Sequence, residues 1–332
     1  MSALKWMALL VTGCVLVSGL VGPARAQSPP ATLTVHFIDV WDGSATLLAG
    51  PDFTILVDAG RDDRDDVVPY LQSVGVQSLD LLVGTHPHND HIGQFPQVFN
   101  AFPVREVWLS GADTTAVFEQ AWHAILLSEA VYHEPRAGEI YTIGSATVEV
   151  FNPAKLTGDL HRDSIVTRVT FGEVAFLFPG DSEADTELAM IDRGLDLRSR
   201  VLELGHHGSS TSSSLEFLRA VQPEVAIYSA GLGNSSGHPS SGVLGRLDGL
   251  GISVFGTDLC GTIQITTDGE TFHVQSERVD VDYSSAPIRA MTNPTATPAA
   301  TKEGRSEGLT DVNVGPQPTA GRGRAQRHES LG

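Results

Sequence analysis

Thr85-His86-Pro87-His88-Asn89-Asp90-His91-Ile92-Gly93 is the stretch whose reading decides the fold. Four potential metal ligands, His86, His88, Asp90 and His91, stand almost side by side in it. In extended backbone, residues i and i+2 point the same way, so His86 and His88 can hold one metal from one side of a loop. Asp90 and His91 come where a helix begins and can reach a second metal beside the first. Imidazole and carboxylate together suit zinc, and also manganese or iron. The bland alternative is a polar loop that happens to be rich in histidine. The preceding Leu79-Asp80-Leu81-Leu82-Val83-Gly84 argues against it, because it reads as a buried strand delivering the cluster to a sheet edge.

Upstream, strands are expected over Thr32 to Val40, Ala45 to Leu48 and Phe53 to Val57, with Pro51-Asp52 as a turn. Asp58-Ala59-Gly60 closes the last of them. Asp58 is either a turn residue or support for a metal-bound histidine. Asp62 to Val74 reads as a helix whose acidic first turn suits the helix dipole.

Downstream, Val104 to Leu109 reads as a strand and Thr114 to Ser128 as a helix, with His123 structural or on the surface. Glu139 to Phe151 is strand-like around a turn at Gly144-Ser145. Ser164 to Phe171 and Val174 to Phe178 form a hairpin that ends at Gly180-Asp181. An aspartate beyond a flexible glycine at a strand end can bridge two cations with its two oxygens; alone it would read as a cap for the helix of Glu183 to Arg193. Val201 to Leu204 is a strand, and His206-His207-Gly208-Ser209 follows. Adjacent histidines in a strand face opposite ways, so one binds metal and the other faces substrate or supports the site. Ser209 to Ser214 caps the helix of Leu215 to Val221, and its hydroxyls and amides offer a seat for an oxyanion. Val225 to Ser229 is a strand, Ala230 to Gly237 is glycine-rich, and His238-Pro239 follows. His238 can protonate a leaving group or contact substrate. A helix over Val243 to Leu250 and strands over Ile252 to Phe255, Thr262 to Thr267 and Phe272 to Gln275 finish the domain. The two halves each run from strands into alternating helix and strand. That pattern predicts an α/β fold: an αββα sandwich of two mixed sheets with helices outside and ligands on loops at one edge.

Lys5, an apolar run from Trp6 to Val21 and Ala24-Arg25-Ala26 read as a secretory signal over residues 1–26, cleaved after Ala26. Cys14, preceded by Val11-Thr12-Gly13, leaves a lipoprotein signal as the second reading. Residues 27–31 are a linker and 32–283 the domain. From about residue 284 to 332, Pro, Thr, Ala, Gly and Ser dominate and a disordered tail is expected. Cleavage removes Lys5 and Arg25 and no acidic residue, so 21 basic residues become 19 against 40 acidic ones, and the net charge goes from −19 to −21. Such a chain lacks the lysines and arginines for a sequence-independent grip on duplex DNA, although bound metals reverse the local sign. No other run is long and apolar enough to span a bilayer. Cys260 would stand alone after cleavage.

The His-x-His-x-Asp-His pattern is accompanied, in order, by Phe37-Ile38-Asp39-Val40, Leu56-Val57-Asp58-Ala59-Gly60, Phe178-Pro179-Gly180-Asp181, Gly205-His206-His207-Gly208-Ser209 and Gly237-His238-Pro239. Over residues 32 to 276 the set resembles the metallo-β-lactamase fold superfamily, above all the hydrolase domain of the ComEC/Rec2 DNA-internalisation proteins and their secreted stand-alone relatives. The resemblance implies two divalent metals, zinc or manganese. His86 and His88 would hold the first, Asp90, His91 and His207 the second, and Asp181 would bridge. Asp90, which also orients the water, His206 and His238 are the implied catalytic groups.

Two places depart from the pattern. Where many members carry a further histidine before the bridging aspartate, this chain has His161-Arg162-Asp163-Ser164. His161, Asp163 or neither completes the coordination there, and Arg162 is a possible phosphate contact. Where the competence-type proteins read Gly-Gln-Gly-Asp, this chain has Trp41-Asp42-Gly43-Ser44. The leading expectation is a secreted hydrolase of phosphodiesters, either DNA or small ones such as choline-phosphate head groups; any part in DNA uptake would need partners. The alternatives are amide or lactone hydrolysis, β-lactams included, and a non-catalytic extracellular binding protein on the same fold.

Overall fold

The computed structural model describes residues 31–285 except 113, 114, 280 and 282. The expected leader, most of the linker and the tail from 286 onward lie outside the described residues.

β1 (Leu33–Phe37), β2 (Thr46–Ala49) and β3 (Thr54–Val57) form an antiparallel meander. α1 (Val67–Ser73) crosses to β4 (Leu81–Gly84), which lies parallel to β3. α2 (Asn89–Ile92) and α3 (Phe95–Ala101) lead to β5 (Glu106–Leu109), and α4 (Ala116–Leu127) to β6 (Val131–His133), both again parallel to the strand before. The second half repeats this plan. β7 (Ile140–Ile143), β8 (Ala146–Asn152), β9 (Val166–Phe171) and β10 (Val174–Phe178) pair antiparallel. Then α5 (Ala184–Asp192), β11 (Val201–Glu203), α6 (Leu215–Val221), β12 (Val225–Tyr228), α7 (Ser241–Leu250) and β13 (Ser253–Gly256) alternate, with parallel pairing. After α8 (Thr257–Cys260), β14 (Ile263–Thr267) returns to pair with β1, and β15 (Phe272–Ser276) and β16 (Tyr283–Ser284) extend that edge. Among the described residues this makes two mixed sheets, of nine and seven strands.

Successive side chains of a strand point to opposite faces, and both faces of each sheet are covered, so strands such as β4 and β12 are buried throughout. Leu33, Val35 and Phe37 of β1, Ile55 and Val57 of β3, Val174, Phe176 and Phe178 of β10 and Val225 and Ile227 of β12 meet in one core between the sheets. The intervening Leu56 and Leu82 turn outward onto a second core with Val67, Leu71, Phe95 and Ala121 of the helices. Leu177, Leu202 and Ala226 turn onto a third, with Met190, Phe217 and Val243. Three cores between four layers is the expected αββα sandwich.

Several local expectations change. The helix expected from Asp62 begins at Val67, so it has no acidic first turn. The acidic run instead makes short-range pairs: Arg61 bonds Asp63 at 2.8 Å and Arg64 bonds Asp66. Residues two apart do not face each other on a helix, so such pairs favour a loop. α3 falls in a stretch to which no element was assigned. The run before α6 does cap it, through Ser214, which accepts from Phe217 N. Two of its amides are taken, however: Ser213 N and Ser214 N donate to the buried Glu187 carboxylate at 2.6 and 2.8 Å. The sheet also runs to Ser284, and the Ser285 hydroxyl accepts from Phe272 N at 2.7 Å. The domain thus extends slightly past residue 283.

Candidate metal centre

The site gathers where parallel strands end. Beyond β3 comes Asp58, beyond β4 the His86–His91 stretch, beyond β10 Asp181, beyond β11 His206 and His207, and beyond β12 the loop that carries His238. His88 is extended, at φ −91° and ψ 155°, and leads into α2, where Asp90 and His91 follow. Thr115, the cap of α4, donates to Pro87 O at 2.7 Å and pins the loop from outside.

Three donor groups form among the described residues. In each, the ligand atoms lie within 4.8 Å of one another: His86, His88, His161 and Asp181 in the first, Asp90, His91 and His207 in the second, and His161, Glu183 and His206 in a third that shares His161 with the first. Asp181 stands between the first two. Its Oδ2 is 3.5 Å from His86 Nε2, and its Oδ1 is 3.2 Å from His91 Nε2 and 3.8 Å from His207 Nε2. Asp90 Oδ2 is 3.3 Å from His207 Nε2.

The structure decides between His161 and Asp163. Asp163 is buried and turns away, accepting from Thr157 N and Gly158 N at 2.8 and 2.9 Å. Asn152 donates to Arg162 O and Ser164 O at 2.7 and 2.9 Å, and Asp159 accepts from His161 N at 3.1 Å. That turn presents the His161 ring, its centroid 4.9 Å from that of His88. Arg162 pairs with Asp185 at 2.6 Å.

Hydrogen bonds behind the ligands fix which nitrogen faces the centre. His207 Nδ1 donates to Ser229 O at 3.0 Å; a carbonyl only accepts, so the Nε2 lone pair is left pointing inward. His91 Nδ1 donates to Asp58 Oδ2 at 2.7 Å. Asp58 also accepts from Thr85 N and Thr85 Oγ1, both at 2.8 Å. With its proton committed to Asp58, Thr85 Oγ1 accepts from His86 Nδ1 at 3.2 Å. Asp58 therefore supports histidines rather than merely closing a turn. Asp58→Ala should weaken metal binding by roughly 10- to 100-fold, read by competition with a chelating dye. Unchanged affinity would show that His91 is held without it.

The expectation that His206 and His207 alternate as in a strand does not hold. Both lie in the left-handed region, at φ 52° and 54°, in a single 3-10 turn. Both rings therefore reach the centre: His206 Nε2 is 3.7 Å from Asp181 Oδ2. Among the described residues, six that are not glycine have such a φ, and Trp41, Asp58, His206 and His207 are four of them, all in the loops that build this centre. Each costs roughly 1–2 kcal/mol of backbone strain, and such strain concentrates at functional sites.

Charge makes the donor set fit cations. Burial opposes ionisation of Asp181, yet the imidazoles of His91, His207 and His86 hold it well below the usual carboxylate range. Burial likewise opposes a charge on His91, yet Asp181, Asp58 and Asp90 hold it well above the ordinary histidine range. Burial, aided by His91, pushes His86 well down. His91 Nε2 and His207 Nε2 lie only 3.2 Å apart. Beside the buried carboxylates a proton on His91 supplies the positive charge, and divalent metals would take that proton's place between the two nitrogens. Glu203, also buried and accepting from Ser44 Oγ at 2.8 Å, is pushed up to about 7 by burial, with Asp58 adding to the rise.

Glu183 escaped the sequence reading, which took it only as a helix start. Its Oε1 lies 3.7 Å from Nδ1 of both His161 and His206, so it faces the outer side of the centre. Its place two residues after Asp181 was the available signal. His238 is half-buried, its ring centroid 5.6 Å from that of His206 and 6.3 Å from that of His207. His123 is exposed on α4, away from these groups.

The family described as the metallo-β-lactamase superfamily matches residues 38–231. The chain is 32% identical over 263 residues to competence protein ComA of Neisseria gonorrhoeae, covering 78% of this chain and 35% of that one. It is 30% identical over 200 residues to ComE operon protein 3 of Bacillus subtilis, covering 60% and 26%. It thus spans about a third or less of these relatives' length. Among solved structures, the metallo-β-lactamase fold protein YhfI of Bacillus subtilis superposes with a TM-score of 0.50 at 13% identity, covering 77% of this chain and 100% of that one, a likeness of fold.

Proposed function

The chain belongs to the metallo-β-lactamase superfamily, related to competence proteins, and from that premise we propose that it is a two-metal phosphodiesterase acting on DNA or a smaller phosphodiester. One observation carries the reading: the two oxygens of the buried Asp181 face two separate donor groups. His86, His88 and His161 would hold the first ion and Asp90, His91 and His207 the second, with Asp181 between. Bound there, such ions supply a hydroxide at neutral pH and offset charge on the attacked group.

The chain's own residues do the rest. Asp90 stays ionised, since His91 and His207 outweigh the effect of its burial, and so accepts a hydrogen bond from the attacking water. His207 and His91 are locked by Ser229 and Asp58. His206, beside the first group next to His161, and His238, between His206 and His207, face the substrate. The net charge of −19 restricts any grip on nucleic acid to contacts near the centre.

The test is a panel: plasmid and single-stranded DNA, bis-p-nitrophenyl phosphate and nitrocefin, each with chelator and with zinc or manganese restored. Phosphodiester cleavage that chelator abolishes and metal restores is expected. Cleavage of nitrocefin alone would move the reading to amide hydrolysis. No turnover with metals bound would leave a binding protein.

A further inference from the structure

We infer that Trp41, seated on Gly231 and flanked by Arg64, is a stacking subsite for a planar heteroaromatic ring of the substrate, a nucleobase. The inference rests on the phosphodiesterase reading and names the part of the substrate that lies next to the cleaved bond. Trp41 has φ 66°, a conformation that a bulky side chain rarely adopts. An outlier of this kind beside a reactive centre points to use of the side chain.

The indole is fixed but not covered. A Cβ on Gly231 would sit 2.6, 2.7 and 2.8 Å from Nε1, Cδ1 and Cε2 of the ring. Those near-equal distances lay one indole face flat on the Gly231 backbone. Arg64 Cζ lies over the ring at 6.0 Å from its centroid, and Asp66 grips that guanidinium through two bonds. Even so, Trp41 is 45% exposed.

Both chains that hold the indole run into the second donor group. On its own loop, between β1 and β2, a Cβ on Gly43 would lie 2.6 Å from Asp90 O, and Ser44 N donates to that oxygen at 3.0 Å. On the other, Gly231 N donates to Asp42 at 3.0 Å, and Ser229 O, two residues earlier, holds His207. A cavity of about 670 Å3 opens along Trp41 and Arg64. Asp39, Asp65, Asp66 and Glu277 line it against the two guanidiniums of Arg64 and Arg278. That excess of carboxylates repels a second phosphate and leaves an uncharged ring as the group that fits. Stacking on indole is tolerant of which base is presented.

The test compares wild type, Trp41→Gly, which suits the left-handed backbone, and Trp41→Phe, which keeps a ring. With zinc-loaded protein, the ratio of kcat/KM on thymidylyl-thymidine to that on the ring-free glycerophosphoglycerol should fall about tenfold in Trp41→Gly. Trp41→Phe should recover most of it. Independently of turnover, thymidine 5′-monophosphate should quench wild-type tryptophan fluorescence where deoxyribose 5-phosphate does not, and Trp41→Gly should lose that quench. Base-dependent quenching lost in Trp41→Gly, in a protein that hydrolyses neither substrate, would retain the subsite and sink only the phosphodiesterase reading. An unchanged ratio, or the absence of base-dependent quenching, overturns the subsite.

Discussion

Asp181→Asn should empty both halves of the centre and lower phosphodiester hydrolysis by on the order of a hundredfold or more. The substitution keeps the side chain's shape and removes its charge. In the native protein the Asp181 carboxylate faces His86 with one oxygen and His91 and His207 with the other. An amide offers one oxygen acceptor in place of two and turns an NH2 donor toward the other group. Whichever way it turns, one metal meets a donor that it cannot use and the other loses a negative ligand. His88→Ala is the control: its ring belongs to the first group alone, so one metal should be lost and the other kept. Metal content per chain, measured by plasma mass spectrometry, separates the two variants. Full activity in metal-free Asp181→Asn would sink the metal-dependent reading. Loss of both ions in His88→Ala would show that the second group does not hold metal by itself.

The readability of this centre in the sequence followed the distance over which each residue is positioned. His86, His88, Asp90 and His91 declared themselves because one loop carries them all, and period-two strands announced the sheets that carry the loop. Asp181, after a strand and a glycine, would alone read as a helix cap; the accompanying motifs made it legible as a bridge. His161 and Asp163 were not separable, being two residues apart in one turn. What divides them is Thr157 and Gly158, whose amides draw the Asp163 carboxylate inward. The fate of the amides before α6 was equally hidden, since their acceptor is Glu187, 26 and 27 residues earlier in the chain. Alternation misread His206 and His207 because it assumes extended backbone, and these residues are left-handed. Glu183 faces two imidazoles that come from different loops, a meeting that only the folded sandwich brings about.

His238→Ala should leave metal content near normal while turnover on an unactivated phosphodiester falls by roughly a hundredfold, if the imidazole protonates the leaving group. The ring stands 6.3 Å, centroid to centroid, from His207 and 5.6 Å from His206, next to the donor groups but in none of them. Asn234 Oδ1 accepts from His238 N at 3.0 Å, and Asn234 Nδ2 donates to His238 O at 2.5 Å. The loop is therefore fixed through its backbone, and removal of the ring should not disturb it. Burial, with His207 beside it, pulls the His238 pKa below the ordinary value, so the resting imidazole is largely neutral near pH 7. An anionic phosphodiester next to the ring favours its protonated form, which supplies the acid only when substrate is bound. The loss should accordingly shrink on p-nitrophenyl esters, whose leaving group departs without a proton. It should be greatest at lower pH, where His238 carries its proton, and smallest at alkaline pH, where the wild type loses the acid form; the variant should lack that alkaline limb. Rates on an activated and an unactivated diester across pH, with metal analysis of the same preparations, decide the matter. Equal losses on both esters with metals retained would make His238 a substrate contact instead of an acid, and loss of metal would make it a ligand.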